Sequence, residues 1–364
     1  MKMKKCLEKF ESKKSDNKSK ASNLYFNIFI LLLLSAFCDF NMRCFINCIS
    51  EIKMVIKGSG NQSLLYSGFP IEPYEVIVNG EKEESCKRTC VLNKDINNIT
   101  LKFDKQIESC SNMFFPLKNI TEIDLSNFDT SKVTTMSWMF CDCSNLEKIN
   151  LGNIDTSSLK NMNMLFKGTK ITSIDLSKFD TSKVTTMKWM FCECSKLEII
   201  NLSNFDTSQV TDMSFMFAGC SNLKYLDLSN FETLKVKTMS QMFSRCRSLI
   251  YLNLDSFQLN SEINTENIFS EISNNIKYCI KDINVQNSLL NNDKVSDCSD
   301  DCFKHNIKID IKNNLCLELC NTKYEYNNIC YDECPKDSYP LFCEENECNN
   351  IIENVLIKHL MGII

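Results

Sequence analysis

A four-residue motif recurs five times at nearly constant spacing in the middle of the chain, and this repeat restricts the possible folds more than any other feature. The motif starts as Phe-Asp-Thr-Ser at Phe128, and its later copies start at Ile154, Phe179, Phe205 and Phe231, at intervals of 26, 25, 26 and 26 residues. Such a period is typical of repeat architectures, in which each unit buries its apolar face only against its neighbours. We therefore predict a solenoid.

Each repeat combines two apolar patterns. The last three residues of the pattern L-x-x-[IL]-x-L have period 2, so that Ile149 and Leu151 point inward while Asn150 points outward, as in a short strand. Residues 133–140 follow Val-x-x-Met-x-x-Met-Phe, a helical or 3₁₀ spacing. We expect an α/β repeat fold: a leucine-rich-repeat solenoid over residues 99–272, with a parallel β ladder, short helices and units of about 25–26 residues.

The full repeat reads Phe-Asp-Thr-Ser-x-Val-x-x-Met-x-x-Met-Phe-x-x-Cys-x-x-Leu. It resembles the BspA-like leucine-rich-repeat surface proteins of bacteria and protists, in the variant of mycoplasma-type lipoproteins and protist surface families. The resemblance covers residues 98–272. It implies display at the cell surface and, as in some members, binding of host or matrix proteins; a repeat spacing alone does not specify such a role.

The segments before the repeats predict export and a cap. Residues 1–38 contain a lysine-rich lead and a 15-residue apolar run at 24–38, which is typical of a cleaved signal peptide or a signal anchor, with a buried core helix as the third alternative. Both export alternatives place the remainder outside the cytosol. Residues 39–98 alternate in polarity in two places and are expected to form a small N-terminal β cap. We therefore expect an extracellular or cell-surface protein that uses the secretory route, with possible membrane association through residues 24–38.

Twenty-two cysteines favour an oxidising compartment. Residues 273–348 are predicted to be a linker and a disulfide-rich C-terminal module; residues 328–335 resemble growth-factor-receptor-like cysteine-rich stalks. Residues 349–364 form an apolar tail that is too short and too polar for a spanning helix. Zinc binding is the rival reading of the paired cysteines. The disulfide candidates, with pairing left open, are Cys44, Cys48, Cys86, Cys90, Cys298, Cys302, Cys316, Cys320, Cys330, Cys334, Cys343 and Cys348.

A second set of cysteines recurs at one repeat position, at Cys143, Cys194, Cys220 and Cys246. They are expected to pack as small buried hydrophobes. Disulfides between adjacent repeats lie within geometric reach and are the alternative for Cys194, Cys220 and Cys246.

The sequence offers little for catalysis or nucleic-acid binding. The only histidines are His305 and His359, and no phosphate-binding, metalloprotease or nucleophile motif is present. Residues 1–23 carry a net charge of +5, so the remainder carries −5 − 5 = −10 and has no basic stripe for phosphates. We predict a protein that is not an enzyme and has no cofactor, no metal site and no nucleic-acid partner.

The outward strand positions form two columns. One alternates Asp and Asn from Asp124 to Asn253, which separates like charges and favours a structural role over a calcium or glycan site. The other is the candidate binding face for a protein or glycan at the cell surface, with an exposed strip in its C-terminal half that is suited to contact. Ordinary cross-strand packing is the alternative. The residues of this face are Glu122, Lys148, Ile199, Tyr225 and Tyr251.

Three glycosylation sequons start at Asn61, Asn98 and Asn119. The sequence as a whole favours a binding or adhesion protein. The alternatives are a structural coat or matrix component that self-associates and, less favoured, a cytosolic scaffold; the oligomeric state stays open.

Overall fold

A computed structural model describes residues 50–290 and the strand segments 295–296, 308–310, 315–317, 324–326 and 329–331. The predicted export segment 1–38 and the tail 349–364 lie outside the described residues. So do eight of the predicted disulfide cysteines. No helix within the described residues has the length and apolar character that crossing a membrane requires. The eight cysteines are Cys44, Cys48, Cys298, Cys302, Cys320, Cys334, Cys343 and Cys348.

An antiparallel sheet covers the first end of the solenoid. Strand β1 carries the alternating residues Ile52, Met54 and Ile56, which are buried on its inner face. It pairs antiparallel with both β6 and β7 in a sheet of order β4-β3-β6-β1-β7-β8. Because β7 and β8 are parallel, the cap continues into the solenoid and the ladder has no free edge there. These strands are β1 (Ser50–Lys57), β2 (Gly60–Ser63), β3 (Glu75–Val78), β4 (Glu81–Lys82), β5 (Thr89–Leu92), β6 (Ile96–Phe103) and β7 (Ile120–Asn127).

Short parallel strands stack along one side of the solenoid and form what we call the strand ladder. One strand comes from each rung, which we define as one circuit of the chain around the solenoid, and the parallel pairings join strands of neighbouring rungs. The register is that of the repeat, so that Tyr225 lies opposite Tyr251. The strands after β7 are β8 (Lys148–Asn150), β9 (Ser173–Asp175), β10 (Ile199–Asn201), β11 (Tyr225–Asp227), β12 (Tyr251–Asn253) and β13 (Lys277–Cys279).

The short helices predicted in the repeats are wrong, because residues 99–272 contain none. The segment after each motif instead forms a second parallel ladder of single-residue bridges, followed by consecutive turns that we call the turn face. Its N–H groups alternate between two partners. Those of Met136, Trp138 and Phe140 bond carbonyls of the next rung, whereas those of Met139 and Cys141 bond carbonyls three residues back. The bridge ladder contains Ser109, Thr135, Asn161, Thr186, Asp212, Thr238 and Asn264.

Phenylalanine rings form a continuous stack through the core. One ring per rung lies 5.4 to 6.0 Å from the next, with interplanar angles of 3° to 16°. Each stacked pair contributes roughly 0.5–1.5 kcal/mol beyond the area it buries, so that every rung stabilises its neighbour. The rings belong to Phe114, Phe140, Phe166, Phe191, Phe217, Phe243 and Phe269.

The last rung ends in a helix, α1 (Ile283–Leu290), which buries Val285. Strand β14 pairs in parallel with β13, and the last four strands form a separate sheet of order β16-β15-β18-β17. Cys316 lies in β16 and Cys330 in β18; the disulfide-rich module stays a prediction. The strands are β14 (Val295–Ser296), β15 (Lys308–Asp310), β16 (Leu315–Leu317), β17 (Tyr324–Tyr326) and β18 (Ile329–Tyr331).

Candidate interaction faces of the solenoid

The aspartate of the repeated motif closes a local turn. In the third copy, Asp180 Oδ1 accepts bonds from the Ser182 N–H at 3.1 Å and the Ser182 hydroxyl at 2.6 Å. The Ser182 hydroxyl and N–H hold the pKa of Asp180 below its ordinary value, because both bonds favour the charged carboxylate. The same N–H bond recurs in the copies that contain Asp129, Asp155 and Asp206.

The buried threonine of the motif joins one rung to the next. Thr181 Oγ1 donates to the carbonyl of Asp206 at 2.9 Å and accepts from the N–H of the same residue at 2.8 Å. Both backbone groups of that aspartate are thereby satisfied by a side chain. Thr130, Thr207 and Thr233 each make the same pair of hydrogen bonds with the residue that follows the first motif position in the next rung.

The alternating Asp and Asn column of the strand ladder has the structural role that the sequence favours. Each side chain accepts the N–H of the residue two positions later, at 2.8 to 3.1 Å. These are Asx turns, which end each strand and start the turn to the motif. The acceptors are Asp124, Asn150, Asp175, Asn201, Asp227 and Asn253.

The repeated cysteines are free and buried, so the alternative of disulfides between adjacent repeats is wrong. Each thiol lies near the stacked phenylalanine of the preceding rung, and Cys194 Sγ donates to the Phe166 carbonyl at 3.0 Å. Burial raises the pKa of Cys194 and of Cys246 to about 12. At neutral pH these thiols are protonated donors and poor nucleophiles. The other equivalent bonds join Cys143, Cys220 and Cys246 to Phe114, Phe191 and Phe217.

Two further cysteines of the described chain are in the cap. Cys86 and Cys90, both disulfide candidates, form a disulfide with a Cα–Cα distance of 4.8 Å. Cys279, at the end of β13, is also disulfide-bonded, although the sequence analysis did not select it. Within the described residues, no group of three or more His, Cys, Asp or Glu side chains is placed to hold a metal ion.

The predicted binding face comes together in one column of the strand ladder, but it is less exposed than expected. Glu122 and Lys148 form a salt bridge of 3.3 Å at its start. The prediction of an exposed strip is wrong: Tyr225 is only 9% exposed, and Ile199 and Tyr251 are half-buried. The reason is the parallel register, which places the two tyrosines opposite each other at a rung spacing of about 4.8 Å, so that they pack side by side.

The three predicted glycosylation residues are exposed and belong to the cap and the loop that precedes β7. Asn61 lies in β2 and Asn98 in β6. Asn119 Nδ2 donates to Gln62 Oε1 at 2.7 Å, beside Asn61. Modification at these residues stays a prediction.

The sequence analysis missed an apolar column on the turn face. Four half-buried side chains follow one another there, one per rung, and all have left-handed backbone conformations with φ between 54° and 61°. At the equivalent positions of the outer rungs stand Asn112, Gln241 and Asn267. One signal could have revealed the column, because the chain's only two tryptophans occupy this same repeat position. We call it the turn-face stripe: Trp138, Met164, Trp189 and Phe215.

The two tryptophans of the stripe pack in opposite directions. Trp138 meets Phe115 edge to face, with centroids 5.4 Å apart and an interplanar angle of 90°. Trp189 stacks on Phe215 at 4.4 Å and 25°. Met164 therefore separates two aromatic pairs. The Trp189 indole N–H is buried and has no hydrogen-bond partner among the described residues.

Charged side chains of both signs flank the stripe. Lys167 Nζ donates to Asp142 Oδ1 at 3.1 Å and lies 3.7 Å from Glu193, and Lys188 lies 4.0 Å from Asp212. Burial alone would lower the pKa of Lys167, but the hydrogen bond and charge of Asp142 outweigh it and raise that pKa. Lys167 therefore stays protonated at neutral pH. Arg245 lies 3.9 Å from Glu193. We call these six residues the rim.

Two stretches of the chain, residues 108–199 and 169–283, match the model of a family described as "Mycoplasma protein of unknown function, DUF285". None of the curated proteins and none of the solved structures compared with the chain matches it. Over residues 108–283, which contain most of the rungs, the chain is similar to this family, whose description assigns no function.

Proposed function

We propose that the protein is a non-enzymatic binding or adhesion protein, secreted or displayed at a cell surface, that recognises a partner protein through the turn-face stripe. One observation carries this proposal. In the four central rungs, bulky apolar residues occupy left-handed backbone positions, where the outer rungs have Asn or Gln. A left-handed conformation costs an L-residue roughly 1–2 kcal/mol, and Asn tolerates it best. A partner that contacts the exposed parts of these side chains gives a reason to retain them at that cost.

The non-enzymatic part rests on how the repeated polar groups are used. The motif aspartates and threonines bond backbone groups, and the repeated thiols are buried donors with raised pKa values. These groups therefore hold the rungs together, which supports a role other than catalysis.

The location at the surface rests on three supports. The apolar run at 24–38 is typical of export. The Cys86–Cys90 disulfide is typical of an oxidising compartment. The resemblance of the repeats to BspA-like surface proteins, together with the family match over residues 108–283, agrees with display at the surface.

The experiment uses the full-length protein and the intact cells that make it. A membrane-impermeant biotin reagent should label the protein on these cells or in their medium. The purified protein should then bind to foreign cells or matrix saturably, and sedimentation should find it monomeric. Exclusion from the reagent in intact cells would refute the location. Assembly into large oligomers without binding to any foreign surface would favour the alternative of a self-associating coat.

A further inference from the structure

We infer that the partner presents the apolar side of an amphipathic α-helix, which lies along the turn-face stripe. This inference rests on the proposed function and names the chemistry of its partner. The stripe is one side chain wide and runs along the solenoid axis from Trp138 to Phe215, with charged or polar groups on both sides.

The spacing of the stripe fits a helix better than a strand. Rungs are about 4.8 Å apart, so Trp138 and Trp189 are separated by roughly 10 Å along the axis. A helix rises about 5.4 Å per turn, and residues i and i+7 are about 10.5 Å apart. Successive side chains on one side of a strand repeat at about 6.8 Å and lose register with the rungs at once. An i, i+3/i+4, i+7 pattern therefore brings one apolar side chain to each of Trp138, Met164 and Trp189.

The exposed area of the stripe is too small for a second copy of the chain. All four side chains are half-buried. With 150–250 Å² of surface for each large side chain and about a third of it exposed, the four together expose at most roughly 350 Å². A stable dimer of globular subunits needs about 800 Å² from each partner. A helix about 10 Å across matches the narrow stripe and obtains the rest of its contacts from the rim.

The charges of the rim indicate which charged residues should flank the apolar side of that helix. The rim contains Asp142, Glu193 and Asp212 against Lys167, Lys188 and Arg245, so its charges of the two signs balance. A polyanion therefore gains nothing from this surface. A helix whose flanking positions carry both signs in balance is the complementary partner.

The test measures the binding of designed peptides to the full-length protein without substitutions. One fluorescein-labelled 22-residue peptide has leucines at i, i+3, i+4 and i+7, with lysine, glutamate and alanine elsewhere. Its control has the same composition with leucines at every second position. Fluorescence anisotropy should show saturable binding of the first peptide and at least roughly tenfold weaker binding of the second. Equal binding of both peptides, or no binding of either, would overturn the inference.

Variants then locate the contact. Trp138→Asn and Trp189→Asn place the residue of the outer rungs at the same left-handed position, so the fold should be kept while the affinity for the helical peptide falls roughly tenfold. Leu234→Ala is the matched control, since Leu234 is a 60% exposed apolar side chain outside the stripe. An unchanged affinity in both tryptophan variants would place the peptide elsewhere and refute the inference, as long as circular dichroism shows folded protein.

Two further probes cover other occupants and separate this inference from the proposed function. Binding of a neutral hexasaccharide that depends on the tryptophans, without helix binding, would replace the helix with a glycan. Concentration-dependent dimerisation abolished by Trp189→Asn would replace it with a second copy. If the full-length protein still adheres to foreign cells while the helical peptide does not bind, the helix inference fails and the proposed function stands.

Discussion

The threonine of the motif shows how one residue can specify the stacking of a whole repeat. The Thr181 hydroxyl forms hydrogen bonds with both the N–H and the carbonyl of Asp206 in the next rung. Serine could donate the same bond, but the β-branched threonine also fills the buried corner with its methyl group. The motif is therefore explained by structure, and its recurrence is no evidence of a ligand site.

Replacing this threonine should destabilise the fold. Thr181→Val preserves the shape but leaves the N–H and the carbonyl of Asp206, whose bonds to Thr181 are partly buried, without their partner; this should lower the free energy of unfolding by about 1–3 kcal/mol. Urea unfolding measures the change. Thr185→Val is the control, since the exposed Thr185 bonds Lys160 at 3.3 Å and should change stability by less than about 0.5 kcal/mol. Equal losses in the two variants would contradict the role of Thr181.

The turn of Asp180 allows a test by titration. Ser182→Ala removes the hydroxyl that contributes most to the lowered pKa of Asp180, so that pKa should rise toward its ordinary value near 3.8. Because the pKa is lowered in the fold, the carboxylate stabilises the protein above the unfolded value, and this contribution is lost as the pH falls through the folded value. Carbon-detected NMR titration gives the pKa in both proteins. An unchanged pKa would show that the backbone bond alone sets it.

At the scale of the elements, the sequence predicted the strands but not the turns. The period-2 pattern around Ile149 predicts a short strand, and β8 lies there with Ile149 as its least exposed residue. The Val-x-x-Met-x-x-Met spacing is ambiguous, because a run of turns repeats its inward side chains at three residues as a helix does. What decides between them is the hydrogen bonding between rungs, in which Met136 and Trp138 donate to the next rung.

The turn-face stripe was missed for a related reason. Exposure of a strand residue depends on its neighbours in the ladder, and Tyr225 is covered although it alternates outward. The left-handed backbone at Trp138 and Trp189 follows from the turns, which the spacing did not reveal. Only the coincidence of both tryptophans at one repeat position was visible in the sequence.

The column of buried thiols should make the solenoid sensitive to alkali. The pKa of Cys194 is about 12 in the fold against an ordinary value of 9.0, so this group stabilises the protein below pH 9 and loses that contribution as the pH rises toward 12. Between pH 10 and 11 the free energy of unfolding of the parent protein should fall with rising pH. In Cys194→Ala this fall should be smaller by about 1.4 kcal/mol per pH unit. Urea unfolding at a series of pH values tests this, and a slope equal to that of the parent protein would contradict it.

At the scale of the whole molecule, stability is a sum over rungs and the interfaces between them. Deleting residues 199–224 removes one repeat and joins Glu198 to Tyr225, which occupies the position of Ile199 in the next rung. We expect a folded, shortened solenoid with lower stability. Deleting residues 199–211 should abolish folding, because the motif and bridge positions of neighbouring rungs no longer align. Circular dichroism and urea unfolding distinguish the two. Similar behaviour of both deletions would refute the additive description.

The most direct test of the account asks which face of the solenoid binds. Full-length protein with Trp138→Asn and Trp189→Asn would be compared with full-length protein carrying Ile199→Ala and Tyr251→Ala, after circular dichroism has verified both folds. Flow cytometry on foreign cells gives the apparent affinity of each. The account predicts a loss of at least about tenfold for the turn-face pair and an affinity within about twofold of the parent for the strand-ladder pair. A loss of affinity confined to the strand-ladder pair would contradict the account. It would show that the partner binds the strand-ladder column that the sequence alone predicted.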